Sequence, residues 1–75
     1  MQHYRDSDND SNITAFEIGD DFIVVQFESG KYNFYKYTYF SAGSNDIEEM
    51  KRLANCGDGL NSFISKYKPG FESKW

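Results

Sequence analysis

One cysteine, one histidine and one proline in 75 residues narrow the field at once. Cys56 has no partner for an internal bridge, so the disulfide framework of a small secreted domain is excluded and a reducing compartment is expected. His3 is the only imidazole, and its place near the N-terminus holds no nucleophile within reach of a base, so hydrolase-type chemistry has little to work with. No phosphate-cradling glycine loop and no zinc spacing occurs. The longest purely apolar run is Phe22-Ile23-Val24-Val25, and the start MQHYRDSDND carries no apolar stretch, so neither a membrane span nor a signal peptide is expected. The expectation is a cytoplasmic, non-enzymatic protein without a cofactor.

Aromatic residues are abundant instead, at 19 % of the chain. A domain this short buries only about 60 % of the surface its unfolded chain exposes. Large rings offset that thinness, because each removes much apolar area from water. The net charge of −4 is unevenly spread. Residues 1–30 hold seven acids against Arg5 alone, whereas residues 31–75 hold seven Lys or Arg against five acids. The chain as a whole lacks the basic field of a nonspecific nucleic-acid binder, and any such site would lie in the second half.

Residues 13–18 and 22–28 read as two strands reversing through Gly19-Asp20-Asp21. In the second, Ile23, Val25 and Phe27 alternate with Val24, Gln26 and Glu28, which places one apolar face on a core. Ser29-Gly30 offers a turn, and residues 31–37 read as a third strand with Tyr32 and Phe34 on the inner face and Tyr35 and Tyr37 on the other. Residues 38–44 end that strand. Asn45 with Glu48 three residues later has the pattern of a capped helix start, and Ile47, Met50, Leu53 and Ala54 then share a helical face that stops at Gly57. Asp58 is the expected cap of a second helix through Leu60, Phe63, Ile64 and Tyr67, ended by Pro69-Gly70. The fold expected is α+β: a three-stranded antiparallel meander followed by two helices packed on one face. Residues 1–10 read as an acidic, mobile head, residues 11–67 as one domain, and residues 68–75 as a short tail.

Two candidate sites follow. Asp6, Asp8, Asp10 and Glu17 stand at the first, third, fifth and twelfth positions of a calcium-type loop, with Thr14 at the ninth. Against it, Ser11 replaces the glycine of the sharp turn, no entering helix has room, and the first strand needs Glu17 extended, so a solvated acidic head is the reading preferred. The second candidate is the aromatic and basic third strand. Tyr35, Lys36, Tyr37 and Tyr39, with Lys31 nearby, have the makings of a platform on which unpaired bases stack while ammonium groups meet phosphates. The same rings suit a protein interface, since tyrosine is apolar with a hydrogen-bonding tip.

Certain short motifs, in order, also resemble a known family: Ser11-Asn12-Ile13, then Ile23-x-Val25-x-Phe27-x-x-Gly30, Tyr32-x-Phe34, Leu53-Ala54-x-Cys56-Gly57, and Leu60-Asn61-x-x-Ile64-x-x-Tyr67. Together they resemble the KTSC domain, a small bacterial domain named from the C-terminus of some lysyl-tRNA synthetases and also found alone. The chain departs from the family where Phe34 replaces a tyrosine, where Tyr37-Thr38 and further residues stand for a Val-Pro, and where Cys56 replaces a serine. The resemblance implies the fold over residues 11–67 and, for function, single-stranded RNA or an RNA-associated protein as the partner.

Overall fold

The computed structural model describes residues 1–5, 12–28 and 33–75. The strands are β1 (Gln2–His3), β2 (Ile13–Ile18), β3 (Phe22–Phe27), β4 (Phe34–Thr38) and β5 (Ser73–Lys74), and the helices are α1 (Tyr39–Ala42), α2 (Ser44–Cys56) and α3 (Leu60–Tyr67). All five strands join one antiparallel sheet in the order β1-β2-β3-β4-β5. The α+β class and the central meander agree with the sequence. The sheet is wider than three strands because each end of the chain adds a two-residue strand to one edge.

Registers fix the two faces of the sheet, since directly opposed residues point the same way. Ile23 opposes Tyr37 and Val25 opposes both Phe16 and Tyr35. Ile13 and Phe16 are three apart and would face opposite ways in a regular strand. A bulge between Ile13 and Ala15 brings both onto the same side. Ile13, Phe16, Ile23, Val25 and Tyr37 then form one buried cluster with Tyr4 and with Ile47, Met50, Ala54 and Leu60 from the helices. Every strand residue of that cluster lies on the same side of the sheet, so α2 and α3 cover one face.

Several local expectations are corrected. The capping box lies at α1, where the Thr38 hydroxyl accepts from the Ser41 N–H and Ser41 Oγ accepts from the Thr38 N–H, both at 3.0 Å. Asn45 and Asp58 cap nothing, because Gly43 and Gly59 occupy the N-cap positions. Glu48 therefore turns outward to Lys51, and Glu49 pairs with Arg52. Gly57 does end α2, in a left-handed conformation with φ 73°.

The N-terminus is no loose head over residues 1–5. Tyr4 is buried, and Arg5 Nη2 donates to the carbonyls of Asn55 and Cys56, both at 2.9 Å. These carbonyls belong to the last turn of α2, which has no following helical N–H to take them. The mobile head expected over residues 6–10 lies outside the described residues.

Candidate functional site

The face of β4 is the main correction to the expected site. Tyr37 is 3 % exposed and belongs to the core, and Tyr35 packs against the core from the same side. The reason is the pairing partner: β3 places Ile23 and Val25 toward the helices, and Tyr37 and Tyr35 are their opposites. Phe34, expected in the core, instead opposes Gln26 on the face that α2 and α3 leave open. Burial pushes the Tyr37 phenol up to about 12, with the neighbouring Tyr35 adding to the rise. Neither ring lies in an open, flat platform.

The expected site residues therefore do not converge. Lys36 is on the open face, with Tyr35 and Tyr37 behind it. Tyr39 begins α1, where its hydroxyl donates to Glu48 Oε2 at 2.5 Å and Lys51 Nζ lies 5.6 Å from its ring centre. That hydrogen bond raises the Tyr39 phenol and, with the Lys51 contact, lowers the Glu48 carboxyl. Lys31 lies outside the described residues, as do Tyr32 and the calcium candidates Asp6, Asp8 and Asp10. Glu17 is exposed within β2 opposite Val24, extended as the strand reading requires.

What the open face carries is a different aromatic set. One row across the sheet runs His3, Ala15, Gln26 and Phe34, and the next runs Glu17, Val24, Lys36 and Ser73. Phe34 stacks on Trp75, with centroids 5.6 Å apart and planes 7° from parallel. Lys36 Nζ sits 4.9 Å from the centre of the Phe22 ring and 3.8 Å from Glu72 Oε1. Trp75 keeps 51 % of its surface exposed, so one side of the stack remains open to a partner. The β2–β3 hairpin turn, at the other end of the sheet from that stack, is tight: the Phe22 ring lies so close over Gly19 that any Cβ there would overlap it.

The edge of β4 is built from the C-terminal residues. The Phe34 N–H donates to the Trp75 carbonyl and the Trp75 N–H to the Phe34 carbonyl, both at 2.9 Å, while the Glu72 N–H donates to the Lys36 carbonyl at 2.7 Å. Phe71 stands edge-on to Tyr35 at 5.0 Å and to Tyr37 at 6.5 Å. Lys74 Nζ lies 5.4 Å from the Phe71 ring centre and 6.0 Å from that of Tyr35. Sequence reasoning missed Phe22, Phe71 and Trp75. The alternation in β3 offered a signal for Phe22, but a five-residue tail carries no period to read.

Among the described residues, no group of three or more His, Cys, Asp or Glu side chains is arranged to hold a metal ion. No helix among them is long and apolar enough to cross a membrane. Comparison with protein-family models, curated proteins and solved structures finds no match in any of the three.

Proposed function

We propose that the chain is a non-enzymatic binding module that meets a protein partner on the open sheet face, around Phe22, Phe34, Lys36 and Trp75. The observation that carries this reading is the half-exposed Phe34–Trp75 stack beside the Phe22–Lys36 contact. Aromatic rings with one polar anchor are what well-packed protein interfaces use. Charge supports a protein over a nucleic acid: Lys36 is balanced by Glu72, and Glu17 stands in the same cross-strand row. Phosphate-driven binding needs a surplus of cations, which the described residues of this face lack. The KTSC resemblance of residues 11–67 agrees with an accessory module of the bacterial cytoplasm.

Single-stranded RNA is the second reading, favoured by the near-parallel stack, a surface on which a further base fits, with Lys36 for one phosphate. An amide NMR titration with mixed short RNA, at low and then moderate salt, separates the two. Shifts at Phe22, Phe34 and Lys36 that fade with salt would overturn the protein reading. The protein reading expects no such shifts. It expects a nuclease-resistant partner captured by the wild-type chain, retained at moderate salt, and lost on Phe22→Ala or Phe34→Ala.

A further inference from the structure

The edge of β4 is already occupied by a peptide, and that peptide is the chain's own residues 71–75. We propose that these residues are a resident ligand in an exchangeable site, and that the vacated β4 edge takes an extended segment of a partner protein as an added strand. This rests on the reading of the chain as a protein-binding module and names what it binds.

Two observations carry the proposal. The resident strand is shallowly seated, since Phe71 is 44 % and Trp75 51 % exposed although both make ring contacts. Its contacts are also separable from the core: Tyr4, α2, α3 and the β2–β3–β4 meander form the buried cluster without any residue beyond Leu60.

The contacts also specify the ligand. A ring at the position of Phe71 meets Tyr35 and Tyr37 edge-on, an acid at Glu72 meets Lys36, a cation at Lys74 lies against the Tyr35 ring, and an aromatic at Trp75 stacks on Phe34. The segment recognised is therefore aromatic, acid, small, cation, aromatic in sequence. A tethered ligand competes at an effective concentration in the millimolar range, so a free segment binds weakly until the resident one is loosened.

The test uses the whole 75-residue chain, isotope-labelled, as wild type and as the Phe71→Ala/Trp75→Ala variant, titrated with a synthetic peptide copying residues 69–75. Saturable shifts at the amides of Phe34 to Tyr37 are expected, at least about tenfold tighter in the variant than in the wild type. In the wild type alone, the amides of Glu72 and Trp75 are expected to exchange with solvent at least about tenfold faster than those of β3. A variant that keeps a dispersed spectrum and shows no shifts up to about 1 mM peptide overturns the proposal. If the variant fails to fold, exchange of the Trp75 amide only at the rate of global unfolding overturns it. Concentration-dependent dimerisation without peptide, with shifts at the same amides, would assign the edge to a second copy's tail and overturn the partner-protein form. Partner contacts confined to Phe22 and Gln26 would sink the edge site and leave the open-face reading standing.

Discussion

The Tyr4 hydroxyl accepts a hydrogen bond of 3.3 Å from the Leu60 N–H, joining the N-terminal residues to the first turn of α3 across 56 positions of sequence. Leu60 is wholly buried, and its N–H is one of the donors a helix start leaves without an intrahelical partner. The ring of Tyr4 meanwhile stands edge-on to Phe16, 6.5 Å away. Tyr4→Phe is expected to keep the packing and lose about 1–3 kcal/mol by stranding the Leu60 N–H. Tyr4→Ala should lose more, about 3–5 kcal/mol, because a cavity is added. Urea unfolding of the two variants checks both values, and an unchanged stability of Tyr4→Phe would show that the hydroxyl contributes nothing.

Tyr37 gives the protein an alkaline limit. Its phenol is raised to about 12 in the folded state, while the unfolded chain titrates at the ordinary value of 10.0. Above that ordinary value the unfolded state sheds a proton that the folded state keeps, so stability falls as pH rises. The loss grows through the window between the two values and reaches about 2 kcal/mol at its upper end. Denaturant midpoints measured across this window should fall for the wild type and fall less steeply for Tyr37→Phe.

Gly57 joins a backbone requirement to a steric one. Its φ is 73°, and a Cβ there would lie 2.7 Å from the Cβ of Arg5. Gly57→Ala should therefore cost about 1–2 kcal/mol for the left-handed conformation alone, with the displaced Arg5 adding to it. Thermal unfolding of Gly57→Ala beside Arg5→Gly, which removes the opposing Cβ, tests the link: if the two losses simply add in the double variant, the steric part is absent.

Phe40 is expected to be silent in stability. It is 97 % exposed on the single turn of α1. Phe40→Ser should shift unfolding by no more than about 0.5 kcal/mol. A larger loss in urea unfolding would mean that the ring is covered in solution.

The meander and both longer helices were legible because their signals are local: period two in β3, helical spacing in α2 and α3, and Gly57 as a stop. The face of β4 was not, since aromatics stand on both sides of the strand and alternation alone has no sign. That sign comes from the pairing of Ile23 with Tyr37, a contact between strands. The same limit hid the edge strands. Gln2–His3 and Ser73–Lys74 have no pattern of their own and become strands only by hydrogen-bonding to a neighbour. The cap at α2 failed for a different reason. Asn45 and Glu48 have suitable chemistry, but the turn of α1 directly before them leaves Gly43 as the cap and frees Glu48 for Tyr39 and Lys51.

The chain's one tryptophan and its buried tyrosines report on different parts of the molecule. Trp75 lies at the edge strand, half in water and against Phe34, whereas Tyr4 and Tyr37 are enclosed by the core. Indole emission thus follows the attachment of the C-terminal residues, and the near-ultraviolet dichroism of the tyrosines follows the packing of the interior. A red-shifted emission with unchanged tyrosine dichroism would be the optical signature of a chain whose last strand has left while the rest remains folded, visible without any label.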